Sequence, residues 1–229
     1  YLYQFSPDYV QGEYNSSHLD QGLIDLFMQN GQYTHSDLMY VIDSQHQHMA
    51  NVLPMYNELA AQGQIELTTT PYYHPIMPLL MMDGWTMEDG ITVNKDAWPT
   101  DVQQHLVTGM DFFEQELGFR PTGMWPSEQA VSPNMVQPVS DVGIEWMVTD
   151  EELLKQSTDF NGNYIDVEDI SNLATPWVST GVDGGEVAVI FRDRVISDRI
   201  AFQYGKMTPE AAVSDFISYI DNARQQLID

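Results

Sequence analysis

Short β-rich stretches alternate with amphipathic helical stretches along this chain, and that alternation constrains the fold more than any other feature. Leu19, Leu23, Leu26 and Phe27 share one helical face over about residues 17–31, with Ser17 as a cap and Gly31 as a stop. Thr34 followed by Asp37 resembles a capping box with Asp in place of Glu. The helix it opens runs to about Ala61, with a kink expected at Pro54 and a stop at Gly63. Ile65 to Thr70 then reads as a strand. Val102, Leu106, Met110 and Phe113 stripe a helix over about residues 100–117, which Gly118 ends. Thr122–Trp125, Glu145–Thr149 and Val187–Phe191 read as further strands. Ser132-Pro133 opens a helix to about Val142, Asp150 to Gln156 is a short helix or turn, and Thr208-Pro209-Glu210 opens a last helix to about Leu227. The Pro-rich segment 71–78 is a loop of fixed shape, residues 83–98 loop over the surface, and 157–186 is an insertion with room for a hairpin. Strands alternating with helices imply right-handed parallel βαβ units. The expected fold is therefore α/β, with parallel strands alternating with helices in a single domain over residues 1–229. In barrels of this kind the working groups sit at the C-terminal ends of the strands.

Composition narrows the partners. Eight Lys and Arg face 34 Asp and Glu, a formal net charge of -26, and a phosphate backbone needs a basic footprint, so nucleic acid is not an expected partner. Lysine occurs only at Lys95, Lys155 and Lys206. One reading of that depletion is life in high salt, where screening removes the self-repulsion of an acidic surface; the other is an ordinary acidic protein at moderate salt. No apolar run reaches about 18 residues, so no membrane span is expected. With no cysteine, disulfides, thiolate metal sites and cysteine nucleophiles are excluded. The chain opens Tyr1-Leu2-Tyr3 without Met or a signal peptide, so it is expected to begin inside a longer protein, with the cytoplasm favoured over export.

The candidates for chemistry stand at strand ends. Gly123-Met124-Trp125-Pro126-Ser127-Glu128 places a carboxylate beside an indole on which a sugar ring could stack. Glu128 reads either as a catalytic carboxylate or as an ordinary exposed loop glutamate. His74, between Tyr73 and Pro75, is either aimed into a cleft by the prolines or bonded to a backbone carbonyl. Glu66 lies opposite to Ile65 and Leu67 and, in a strand, would point into a barrel or out from an edge. Phe191-Arg192-Asp193-Arg194 and Ser197-Asp198-Arg199 offer bidentate pairs that fix a loop or touch a ligand. Asp150 suits a helix cap first and a ligand second. His46 and His48 are two apart and share no helical face, and neither His-x-x-x-His, a phosphate loop nor a Gly-x-Ser-x-Gly elbow occurs, so neither metal nor cofactor is expected.

The run from Gly63 through Thr70-Pro71-Tyr72-Tyr73-His74-Pro75 to Leu80 closely resembles the second signature region of glycoside hydrolase family 57. Gly123–Glu128 with Ala130-Val131-Ser132 resembles its third, which carries the nucleophile. Trp146–Glu151, Phe191–Asp193 and Ser197–Phe202 resemble further segments of its α-amylase and amylopullulanase-like members. The resemblance implies a (β/α)7 barrel, TIM-barrel-like, acting on α-glucans by a retaining mechanism without a metal. It puts the nucleophile on Glu128, with Glu66, His74 and Trp125 close to the sugar and Tyr73, Asp150, Arg192, Asp193 and Asp198 as further substrate contacts. A non-catalytic carbohydrate-binding relative and a 4-α-glucanotransferase or branching activity are the alternatives. The family's opening His-Gln-Pro and its Asp-Gly-Glu type general-acid motif are not found here; Asp83-Gly84 and Asp183-Gly184 stand in the wrong context. The expectation is an incomplete barrel with one carboxylate of the required pair, inactive by itself.

Overall fold

The computed structural model describes residues 20–29, 31–87 and 89–228, so the expected cap Ser17 and face residue Leu19 lie outside the described residues. By its contacts the chain divides into two compact units, one through Glu66 and one from Leu67.

The first unit holds helices α1 (Gln21–Gln29) and α2 (His35–Ala61). Asp20 opens α1: its Oδ1 accepts from the Leu23 amide at 3.1 Å and from Tyr40 Oη at 2.6 Å, and its Oδ2 accepts from Ser44 Oγ at 2.7 Å. Thr34 and Asp37 form the expected reciprocal cap on α2, with Asp37 accepting from the Thr34 amide at 2.7 Å. That helix is 27 residues long and continues past Pro54, which has no amide to donate to the ladder. It ends as expected, with the Gly63 amide returning to the Ala60 carbonyl at 3.0 Å. Leu23, Leu26 and Val41 form its small core.

The second unit is built on a sheet of order β1-β4-β5-β7-β6, from β1 (Thr68–Thr69), β4 (Gly123–Met124), β5 (Trp146–Asp150), β6 (Trp177–Thr180) and β7 (Glu186–Arg192). The contiguous strands β1, β4, β5 and β7 pair in parallel, while β6 closes the edge antiparallel to β7. This is the α/β arrangement the alternation implies, and it turns every β1, β4, β5 and β7 carboxyl end to the same edge. The first two strands are much shorter than read from sequence; Ile65 to Leu67 lie ahead of the ladder.

Helices cover the sheet: α3 (Met77–Met81), α4 (Pro99–Leu117) and α5 (Pro133–Asp141). All four stripe residues of α4 are buried, and Gly118 ends it at a φ of 81°, a left-handed stop. Met77, Met110, Met124, Met135 and Met147 join Val102, Leu106, Val136, Val139, Ile144, Val187 and Val189 in one core between sheet and helices. Gly109 lets α4 close on the loop after β1: a Cβ there would stand 3.0 Å from the Thr70 carbonyl oxygen.

One local expectation is corrected and two gain detail. Residues 83–98 carry a hairpin, β2 (Gly84–Thr86) against β3 (Thr92–Asn94), turned at Asp89-Gly90 where Gly90 holds a φ of 85°. Asp-Gly is a dipeptide favoured in hairpin turns. Ser132 precedes α5 as a cap residue, but its hydroxyl makes no capping bond. The 157–186 insertion has its own packing: α7 (Ile170–Leu173) and Trp177 cover Leu154 and Ile165 below α6 (Glu151–Lys155). Its hairpin is β6 with β7, and Gln137 Oε1 accepts from the Asp183 and Gly185 amides, both at 3.0 Å, to hold the turn. After β7 come α8 (Arg194–Asp198), two short helical turns, and α9 (Pro209–Ile228).

Candidate active site

Two loops leave neighbouring parallel strands and meet at the carboxyl edge of the sheet. The first follows β1. Pro71 and Pro75 bracket it, Tyr73 and His74 hold left-handed φ values of 60° and 54°, and the His74 amide returns to the Pro71 carbonyl at 2.9 Å. The second follows β4. Pro126 sends the chain into a tight turn over Ser127–Gln129 in which Glu128 and Gln129 hold φ values of 55° and 56°. Each left-handed non-glycine residue costs about 1–2 kcal/mol, and such strain persists where surrounding structure enforces it. Here the Trp125 amide donates to the Thr69 carbonyl at 2.8 Å, the Gln129 amide to the Pro126 carbonyl at 2.9 Å, and Thr149 Oγ1 to the Gln129 carbonyl at 2.6 Å.

The result is a face-to-face pair. His74 Nε2 stands 3.5 Å from Glu128 Oε1, and His74 Nδ1 is 3.1 Å from Thr70 Oγ1. The imidazole and carboxylate sit 52% and 71% exposed, so their mutual attraction is screened and contributes little to folding. Behind them, Asp150 and Arg192 are partners in the β5–β7 register, and Arg192 Nε donates to Asp150 Oδ2 at 2.7 Å. Asp150 also caps α6 by accepting from the Glu152 amide at 3.0 Å. Burial opposes ionisation of Asp150, but the Glu152 amide and the Arg192 guanidinium outweigh it and hold the carboxyl below its ordinary value.

His74, Trp125, Glu128, Gln129, Asp150, Arg192 and Arg194 line one cleft of about 480 Å³. Five residues expected at the site therefore come together: Glu128, His74, Trp125, Asp150 and Arg192. The other four do not line it. Glu66 precedes the strand and is exposed, instead of alternating within a strand. Tyr73 turns outward and packs edge-on against Tyr72, ring centroids 4.6 Å apart. Asp193 is occupied elsewhere: it caps α8 through the Ile196 amide at 3.1 Å and accepts from Tyr219 Oη at 2.5 Å. Burial and that carboxylate push the Tyr219 phenol well above its ordinary range. Asp198 stands 3.8 Å from Arg194 Nε, one helical turn away. Gln129, about five residues past β4, is a lining residue that the sequence does not single out, and Arg194 of the 191–194 run lines the cleft as well. Among the described residues, no group of three or more His, Asp or Glu is placed to hold a metal ion, and no helix is long and apolar enough to cross a membrane.

The arrangement offers an accessible carboxylate on a strained turn, an imidazole facing it, an indole beside it and a fixed ion pair below. Comparison with known proteins agrees with the resemblance of the motifs. The curated Alpha-amylase 1 of Dictyoglomus thermophilum is 26% identical over 93 residues, which cover 41% of this chain and 11% of that protein. Among solved structures, a GH57 branching enzyme from Thermococcus kodakaraensis, in complex with glucose and additives, superposes with a TM-score of 0.52 at 14% identity, covering 85% of this chain and 34% of that one. The alpha-amylase AmyC from Thermotoga maritima gives 0.51 at 14% identity, covering 87% and 32%. The chain thus spans about a third of the length of these solved chains and about a tenth of the curated relative. The family model described as Glycosyl hydrolase family 57 matches residues 3–228, and the chain belongs to that family.

Proposed function

We propose that this chain supplies the nucleophile side of a glycoside hydrolase active on α-glucans, working with retention of configuration. The observation that carries the reading is Glu128, held on a left-handed turn at the carboxyl edge of the sheet, in a cleft with Trp125 and facing His74. Trp125 gives a sugar ring a face to stack on. The Glu128 carboxylate attacks the anomeric carbon, the bond to the leaving oxygen breaks, and a glycosyl ester forms. Water, or the hydroxyl of a second sugar, then displaces Glu128. His74 and the Asp150–Arg192 pair present polar atoms to the sugar hydroxyls around the bond.

Retention needs a second carboxyl group about 5–5.5 Å from the nucleophile to give and take the proton. Among the described residues Asp150 is the other carboxylate lining the cleft, and both its oxygens are already engaged, by the Glu152 amide and the Arg192 guanidinium, which suits it to hold the site rather than to donate a proton. The general acid is then a carboxyl group outside the cleft-lining residues. Names of relatives in the family, amylase and branching enzyme among them, support glucan as the substrate class and leave the acceptor to be read from products.

In the whole protein, Glu128→Gln is expected to lower turnover of maltooligosaccharides by at least about three orders of magnitude while binding is largely kept, because attack needs the charge and recognition needs the shape. Turnover near the wild-type rate would overturn the assignment. Product chain lengths separate hydrolysis, which only shortens the substrate, from transfer, which also lengthens it.

A further inference from the structure

Thr149 stands at the last helix-facing position of β5, next to Asp150, and is not itself among the residues the sequence singles out for the site. Along that strand burial alternates, with Met147 and Thr149 buried. Met147 packs in the apolar core among the α5 side chains, so the next position on that face would ordinarily be apolar as well. Thr149 is there instead, with 0% exposure. A hydroxyl so buried needs a partner, and it donates to the Gln129 main-chain carbonyl at 2.6 Å.

That carbonyl belongs to the second of two consecutive left-handed residues, the first being Glu128. The turn's own bonds, Gln129 amide to Pro126 carbonyl and Ala130 amide to Ser127 carbonyl, close within the segment and set its shape. They do not fix where the turn sits over the sheet. Its other buried polar side-chain atoms, Ser127 Oγ and Gln129 Oε1, make no hydrogen bond. The Glu128 side chain is mostly exposed, so the direction of its carboxylate follows from the main chain beneath it.

We infer that Thr149 is a positioning residue for Glu128: its hydroxyl pins the strained turn to the neighbouring strand and so fixes where the carboxylate meets the anomeric carbon. The inference rests on Glu128 being the nucleophile. A misplacement of about 1 Å costs on the order of a hundredfold in rate. Valine has the shape of threonine without the donor, serine keeps the donor without the methyl group, and cysteine offers a weak donor of similar size.

The test is steady-state kinetics of the whole protein on a maltooligosaccharide, with thermal melting to check folding, for Thr149→Val, Thr149→Ser, Thr149→Cys and Glu128→Gln. Thr149→Val is expected to lower kcat by about 10–100-fold with KM within about twofold. Thr149→Ser should stay within about threefold of wild type, and Thr149→Cys should fall between the two. If the valine variant does not fold, the comparison of serine with cysteine decides, and equal kcat for that pair overturns the inference. Valine at wild-type kcat, or serine as slow as valine, also overturns it. Glu128→Gln at full turnover removes the nucleophile reading itself, and this inference with it; loss of turnover in Glu128→Gln beside an unaffected valine variant overturns the role of Thr149 alone.

Discussion

Asp150 carries two structural duties with one carboxylate. Oδ1 accepts from the Glu152 amide and closes the amino end of α6, while Oδ2 receives the Arg192 guanidinium across the strand register. Both bonds favour the ionised form, against burial that opposes it, and the folded-state pKa lies below its ordinary 3.8. A carboxyl depressed on folding stabilises the fold at pH values above its unfolded pKa, and that contribution is lost as pH falls through the folded value. Asp150→Asn keeps the cap but not the charge. It is expected to cost about 1–2 kcal/mol at pH 7 in denaturant unfolding, with the difference from wild type closing below about pH 4. A gap that stays constant down to acid collapse would show that Arg192 draws no stability from this partner. The same residue shows how sequence reading divides: its place at a strand end before a helix marks a cap, whereas its pairing with Arg192 depends on the β5–β7 register, which no local pattern in the sequence records.

At the level of elements, the site depends on helix α4 pressing the loop after β1 into place. The Tyr72 amide donates to the His105 carbonyl at 3.1 Å, and Gly109, one turn on, admits the Thr70 carbonyl to the helix surface. Gly109→Val would force backbone against backbone, where neither side can rotate away. The expected outcome is a loss of about 1–3 kcal/mol in denaturant unfolding, together with weaker binding of maltooligosaccharide as His74 moves with its loop. Unchanged stability would mean that the loop yields freely, and the close packing seen here would not be what sets His74. The alternation of helix and strand was legible because amphipathic stripes such as Val102, Leu106, Met110 and Phe113 carry a period that survives any context. The hairpin at 84–94 was not, because its strands are three residues each and show no alternation to read. The positions of Glu128 and His74 at the carboxyl edge were legible from strand order. Their left-handed turns were not, since neither loop uses glycine at the residues that hold positive φ. Thr149 was hidden for a related reason: in a strand of valine and methionine, threonine passes for one more β-branched residue.

Across the whole molecule the carboxylates far outnumber their partners. Arg120 serves both Asp111 and Glu114, Arg194 reaches Glu152 and Asp198, and Arg199 pairs with Asp215 beneath Tyr204. Even with cations shared, a formal charge of -26 leaves a large excess of negative charge on the protein. Repulsion among exposed charges is screened within about 10 Å at 0.1 M salt and within about 3 Å at 1 M. The melting temperature is therefore expected to rise by about 5 °C or more between 0.1 and 2 M KCl. A flat or falling curve would assign the acidity to something other than salt. Beneath that charged surface lies a core in which Met77, Met110, Met124, Met135 and Met147 are all buried. Their methyl groups rotate freely on unbranched stems and lie in distinct places, Met124 directly before Trp125 and Met147 two residues before Thr149. Labelled with 13C at those methyls, the chain would carry its own spectroscopic reporters under the cleft, and a sugar arriving above would be heard in the core.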